Sequence, residues 1–215
     1  SDFRHYLEDM QSLAQPGKGD LVKLPPLAAI ALEDFVEKTG SAVRSKSWKD
    51  KIESFRAARK HDPEVPATLQ AELRSYQLEG YRWLSRLAMC GAGACLADDM
   101  GLGKTVQALA LLLERAPGGP ALVVAPTSVA ANWLEETIKF APALRPAIFG
   151  SGDRQVQLAE AGPFDLVICT YGLLQREEEA LTKIQWHTVI LDEAQAIKNS
   201  ATNHSRAARN LQADF

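Results

Sequence analysis

Two short stretches hold the residues whose types and spacing could do chemistry. The first is Asp98-Asp99-Met100-Gly101-Leu102-Gly103-Lys104-Thr105. Small and apolar Ala94-Cys95-Leu96-Ala97 precede it, suited to a buried strand, and residues 106–113 follow it as a helix. A glycine turn between strand and helix, closed by Lys-Thr, is the build of a phosphate-binding loop. The free N–H groups and the positive dipole end of the helix start face an anion. Gly101 and Gly103 let the backbone approach a phosphate with no Cβ in the way. Lys104 can reach the β- and γ-phosphates, and the Thr105 hydroxyl can ligate Mg²⁺. The general pattern GxxxxGK(S/T) asks for glycine where this chain has Asp98. Taken alone, the stretch also fits a glycine-rich turn before an ordinary amphipathic helix.

The second stretch is Asp192-Glu193-Ala194-Gln195, directly after the apolar Thr188-Val189-Ile190-Leu191. A carboxylate at the C-terminal end of a buried parallel strand sits in the crevice where open α/β sheets bind ligands. There Asp192 can hold Mg²⁺ directly or through water, and Glu193 can position and deprotonate a hydrolytic water. A polar pair at a strand end is the plainer alternative, and the Gly-Lys-Thr loop upstream counts against it.

The elements that must position these groups alternate, helix with strand, from about residue 67 onward. That is the signature of a parallel sheet with helices on both faces. A helix over 73–89 leads to the strand before the phosphate loop. Further strands are expected at 121–125, 147–149, 164–169 and 188–191, with helices at 129–140, 153–161 and around the acidic residues 177–179. Residues 1–66 read differently. Helices are expected at 3–13, 27–38 and 48–59, a loop at 15–20 and a linker at 61–66. In the last of these helices Trp48, Ile52 and Phe55 share one face. Between positions 44 and 60 stand seven Lys or Arg against Asp50 and Glu53. A basic helix can follow a phosphate backbone, but a charge run of this kind reads first as a solvated face.

Composition sets outer bounds. The 215 residues are 46% hydrophobic and 24% charged, ordinary for a globular protein and enough for one domain plus a smaller piece. No run of about eighteen apolar residues is present to span a membrane. The three cysteines, Cys90, Cys95 and Cys169, are odd in number and lack paired-ligand spacing. They argue for a reducing cytoplasm and against a disulfide framework or a zinc site. A net charge of −3 does not advertise nucleic acid, and it leaves room for a local basic face. The chain opens at Ser1 without a signal-peptide pattern and stops at Phe215 in mid-pattern, so it reads as an excised piece of a longer protein.

Five stretches together resemble the first RecA-like lobe of a Swi/Snf-type ATPase, a branch of helicase superfamily two, in bacterial form. They are Leu73-Arg74-Ser75-Tyr76-Gln77-Leu78-Glu79-Gly80, residues 98–105, Ala125-Pro126-Thr127-Ser128-Val129-Ala130-Ala131-Asn132-Trp133, Thr170-Tyr171-Gly172 and residues 191–199. They follow the family's order over residues 67–215. The resemblance implies an α/β, three-layer P-loop NTPase (RecA-like) lobe with a mostly parallel sheet, preceded over residues 1–66 by a small helical segment. It implies ATP and Mg²⁺. Lys104, Asp192, Glu193 and Gln195 become the catalytic set, with Thr105 and Asp192 on the metal. Arg74, Gln77, Asp99, Met100, Gly101, Leu102, Gly103, Lys104 and Thr105 line the nucleotide. Gln77 takes the position that reads adenine, where an amide can donate and accept at once, and Arg74 on the same helix turn flanks the base.

Thr127, Ser128 and Asn132, then Thr170 and Tyr171, then Lys198 and Asn199, take positions that meet a nucleic-acid backbone. Hydroxyls, amides and helix-start N–H groups are suitable phosphate donors, and each of these residues also fits a cap or turn. Gln195 departs from the family's commoner His. It keeps a donor and an acceptor but cannot gain a proton. The expected function is the ATP-binding lobe of a double-stranded-DNA-dependent ATPase and translocase that does not part the strands. Its expected setting is cytoplasmic and nucleoid-associated, and its expected partners are duplex DNA, a second RecA-like lobe of the same protein and other DNA-bound proteins. The isolated chain is expected to be nearly inactive. Two other readings stand beside this one. One is an RNA/DNA helicase lobe of DEAD-box type, against which the wording of residues 98–105 and the Asn132-Trp133 pair argue. The other is a non-catalytic, nucleotide-gated binding module.

Overall fold

The computed structural model describes residues 15–16, 22–23, 46–99 and 101–215, with side chains for residue 50 and from 53 onward apart from Met100. The helices expected at 3–13 and 27–38, and the side chains of Trp48 and Ile52, lie outside the described residues. The chain divides into two compact units, Ser1–Asp62 with Met89–Ala92, and Pro63–Ala88 with Gly93–Phe215.

In the first unit β1 (Gln15–Pro16) pairs antiparallel with β2 (Val22–Lys23), where the sequence suggests only the start of a loop. Helix α1 (Lys46–Lys60) buries Phe55 and Ala58.

The second unit carries the site. Its helices are α2 (Ser75–Met89), α3 (Lys104–Arg115), α4 (Thr127–Phe140), α5 (Arg154–Ala159), α6 (Tyr171–Arg176), α7 (Glu178–Leu181) and α8 (Asn203–Asn210). Its strands are β3 (Ala121–Ala125), β4 (Arg145–Ile148), β5 (Asp165–Thr170), β6 (Gln185–Trp186), β7 (Thr188–Leu191) and β8 (Gln212–Ala213). Four of these make one parallel sheet in the order β4-β5-β3-β7, and β6 pairs with β8 apart from it.

The central strands are apolar on both faces, as a covered parallel sheet requires. Because side chains alternate along a strand, Val123, Ala125, Leu166 and Ile168 share one core with Tyr81, Leu109 and Trp133. Their neighbours Leu122, Val124, Val167 and Cys169 share the other with Leu174, Leu181, Trp186 and Ala207. The sheet is therefore covered on one face by α2, α3 and α4 and on the other by α6, α7 and α8, which makes three layers. Helix starts are fixed locally: the Asp153 carboxylate accepts from the Gln155 and Val156 N–H groups, and the Thr202 hydroxyl accepts from Ser205. No helix among the described residues is long and apolar enough to cross a membrane.

One expected strand does not form. Residues 92–99 carry no regular structure, and Ala94, Cys95 and Ala97 are exposed. Small side chains bury little apolar area, so pairing with a sheet edge would have to hold them. Neither edge pairs with them. On the outer edge of β4 Pro146 has no N–H to offer, and at β7 the outer N–H of Val189 donates to the Phe215 carbonyl at 2.7 Å. The acidic segment near 177–179 also differs, splitting into α6 and α7 at Glu177.

Candidate nucleotide site

The phosphate loop is shaped by its glycines. Gly101 and Gly103 have φ of +83° and +76°, values that cost a residue with a side chain about 1–2 kcal/mol. Gly103 is also the N-cap of α3, and a Cβ there would collide with the Gln77 amide. Lys104 turns its ammonium back over the loop, donating to the carbonyls of Asp98 at 2.6 Å and Asp99 at 2.9 Å. From α2, Gln77 Nε2 and the Tyr76 hydroxyl both donate to the Leu102 carbonyl, at 3.0 Å and 3.2 Å. Gln77 Oε1 accepts from the Arg74 N–H at 2.9 Å. Gln77 thus spends one N–H and one lone pair on its own chain and keeps one of each for a ligand. Arg74, Asp99 and Leu102 are exposed beside it, and Met100 lies outside the described residues.

The acidic box is built differently. The Asp192 N–H still donates to the Val124 carbonyl at 2.8 Å, so the box begins inside the sheet's ladder. Asp192 Oδ2 accepts the Trp133 indole N–H at 2.8 Å, and Oδ1 accepts the Glu193 N–H at 2.9 Å. The Asp192 carbonyl accepts the Tyr171 hydroxyl at 2.8 Å. Burial, with the Asp192 and Glu193 charges adding to it, pushes the Tyr171 phenol well above its ordinary pKa, so it stays a proton donor. Glu193 has φ +50°, a left-handed backbone that costs about 1–3 kcal/mol and tends to occur at functional sites. Gln195 Nε2 donates to Glu193 Oε2 and so holds that carboxylate. Each Asp192 oxygen keeps a further lone pair. With the Thr105 hydroxyl these are hard oxygen donors, the kind Mg²⁺ takes alongside phosphates and waters.

The direction of α3 places the loop relative to the box. At its last residue, Arg115 donates through Nε to Thr188 Oγ1 and through its terminal nitrogen to the His187 carbonyl, both at 2.8 Å. Thr188 is the first residue of β7, so α3 ends at the amino edge of the sheet. Twelve residues of helix rise about 18 Å, somewhat more than the roughly 13 Å of a four-residue strand. Lys104 and Thr105 therefore open α3 toward the carboxyl edge, where Asp192 follows β7, Thr127 follows β3 and Thr170 ends β5.

The seven residues expected on nucleic acid sort by exposure. Thr127, Ser128 and Asn132 are exposed at the start of α4, with Pro126 in the N-cap position, so neither hydroxyl serves as that helix's cap. Lys198 and Asn199 are exposed after the box. Thr170 caps α6 by accepting from Leu173 N–H at 3.2 Å, and Asn199 closes a turn by accepting from Ala201 N–H at 3.0 Å. Tyr171 is 4% exposed and faces the box rather than solvent.

Two residues without an assigned role in the sequence reading belong to this geometry, Trp133 and Tyr76. A signal for the first was available. Ala130, Trp133 and Thr137 are buried at helical spacing, and a buried indole N–H usually finds an acceptor. Nothing local pointed Tyr76 at the Leu102 carbonyl.

The sequence pattern of the SNF2-related domain matches residues 76–214. YwqA of Bacillus subtilis, whose name describes an ATP-dependent helicase/translocase, is 44% identical over 155 residues, covering 68% of this chain and 17% of its own length. The ISWI chromatin-remodeling complex ATPase CHR17 of Arabidopsis thaliana is 39% identical over 153 residues, covering 67% of this chain and 14% of its own. Among solved structures, the Sulfolobus solfataricus SWI2/SNF2 ATPase core in complex with dsDNA superposes with a TM-score of 0.64 at 39% identity, over 72% of this chain and 33% of that one. The chain thus spans about a sixth of these curated relatives and a third of the solved core.

Proposed function

The chain belongs to the SNF2-related domain family, and from that premise we propose that residues 67–215 are the ATP-binding RecA-like lobe of a duplex-DNA-dependent ATPase that translocates without parting the strands. The observation that carries this reading is the shared placement of the Lys104–Thr105 helix start and the Asp192–Glu193 pair at the carboxyl edge of one parallel sheet. Lys104 offsets the β- and γ-phosphate charge, and the N–H groups opening α3 cradle the oxygens. Thr105 and Asp192 would hold Mg²⁺, which neutralises phosphate charge when bound. Glu193 accepts the proton of the attacking water, and the Gln195 amide keeps its carboxylate oriented. Gln77 reads adenine with the N–H and lone pair left to it, and Arg74 flanks the base.

Duplex DNA would lie across Thr127, Ser128, Asn132, Lys198 and Asn199, the exposed members of the set, with Thr170 and Tyr171 shaping the backbone beneath. The dsDNA in the Sulfolobus core supports this reading over a DEAD-box lobe. A second lobe of the same protein would close on the γ-phosphate and bring an arginine, a contribution of about 10³–10⁵ in rate. Without that lobe the isolated chain binds nucleotide weakly and hydrolyses it barely. We place the parent protein in the cytoplasm on the nucleoid, with other DNA-bound proteins as its targets.

The decisive test is ATP hydrolysis by the full-length parent with duplex DNA, with RNA and with neither. Duplex DNA should stimulate and RNA should not. Stimulation by RNA alone would favour the DEAD-box reading, and none at all a nucleotide-gated module. On the same protein, Gln77→Ala should reduce the preference for ATP over GTP. An unchanged preference would move adenine recognition away from α2.

A further inference from the structure

We propose that Trp133 is a positioning residue for the metal-binding carboxylate, its indole N–H setting the orientation in which Asp192 receives Mg²⁺. The inference rests on the nucleotide-site reading above and adds a residue to it. Trp133 is 3% exposed and locked into the core that also holds Leu109, Val123 and Ala125. Its ring cannot swing without opening that core. Its N–H meets Asp192 Oδ2 at 2.8 Å, and the Glu193 N–H takes Oδ1 at 2.9 Å.

A carboxylate's last torsion is broad and soft. Two donors on two different oxygens remove that softness and leave each oxygen of the half-buried carboxylate a further lone pair for a ligand. The chemical type of the donor matters as well. A lysine or arginine in this place would neutralise the carboxylate and compete with a cation. An indole is a neutral donor that cannot accept or ionise in the working range, so it orients Asp192 while leaving its charge for the metal. Partners of this kind behind a metal ligand typically change metal affinity by about 10–100-fold. The helix that supplies the indole also exposes Asn132, the preceding residue, so α4 has one side on the carboxylate and another on solvent.

The test uses the 215-residue chain and a fluorescent ATP analogue, titrated once in Mg²⁺ and once in EDTA. Trp133→Phe keeps a ring in the core and removes the N–H. The dissociation constant in Mg²⁺ should rise about 10–100-fold, while that in EDTA stays at the parent value. A variant whose two constants rise together, or whose Mg²⁺ dependence equals the parent's, overturns the inference and leaves the nucleotide site standing. A parent chain that binds no nucleotide, or binds it without regard to Mg²⁺, overturns the functional reading and the inference with it. A measurement that needs no variant to fold is the indole N–H resonance of Trp133 in the unmodified chain. It should shift when Mg²⁺ is added with ADP but not with ADP alone, and an unmoved resonance overturns the inference.

Discussion

The hydrogen bonds that hold the phosphate loop come from its own carbonyls and from the start of α2, whereas Asp192 is held from β3 through Val124, from α4 through Trp133 and from α6 through Tyr171. The loop's contacts are exposed, and its flanking residues 94–99 pair with no strand. Asp192 and Glu193 are half-buried, and two of the donors to Asp192 are the buried side chains of Trp133 and Tyr171. The two halves of the proposed nucleotide site are thus held differently, the loop by exposed contacts and the box by buried donors. The loop's exposed contacts can be exchanged for a phosphate at little cost, since water replaces what is lost. Contacts made by buried side chains such as Trp133 and Tyr171 cannot be exchanged without opening the core, and so they fix a geometry in advance.

The largest expected effect separates the halves directly. Lys104→Ala removes a charge-assisted contact worth about 1.5–3 kcal/mol, so nucleotide affinity should fall roughly 10–150-fold. The melting temperature should hardly move, because the ammonium bonds only exposed carbonyls of its own loop. Calorimetric titration beside a thermal melt checks both halves of the statement. A melt that drops with the affinity would erase the contrast.

Tyr171→Phe should behave in the reverse way, costing stability before any ligand is added. It strips the hydroxyl from a part-buried carbonyl, a penalty of about 1–3 kcal/mol, or roughly 2–4 °C per kcal/mol for a chain of this size. A melt equal to the parent's would mean that the box is not braced from α6.

The smallest effect is chemical and reads the contrast without touching either site. Cys95, beside the loop, is exposed, while Cys169 on β5 is buried, its thiol pushed up to about 12 by burial. A raised pKa means that the fold disfavours the thiolate, the reactive form. Between pH 7 and about 9, a brief maleimide pulse followed by mass spectrometry should therefore label Cys95 and spare Cys169. Above about pH 9 the unfolded thiol ionises and the folded one does not, so stability falls as pH rises and Cys169 begins to label. Equal labelling at neutral pH would show the two regions to be equally open.

Much of this was legible in the chain itself. The alternation of apolar runs and helical spacings marks β3, β5, β7, α3 and α4 to within a few residues, because two-sided burial and helix periodicity leave their mark in composition. Gly101, Gly103, Lys104 and Thr105 announce a loop at a helix start through their local conformational needs, and Asp192 and Glu193 stand directly after an apolar strand. The order of the stretches was enough to name the family.

The remainder depended on partners far away in sequence. Ala94-Cys95-Leu96-Ala97 has a strand's composition, yet whether it becomes one turns on a free sheet edge, and a segment cannot encode its neighbour's edge. Tyr171 reads as a surface contact beside Thr170, and only the packing of α6 against the strand end turns its hydroxyl to Asp192. Trp133 announces a buried ring with a donor, but which acceptor it finds was decided by β3 and β7 lying side by side, which brings Asp192 under α4. Local conformation follows from each residue and its immediate neighbours. Orientation of a carboxylate follows from a donor 59 residues away, and only the folded sheet brings the two together.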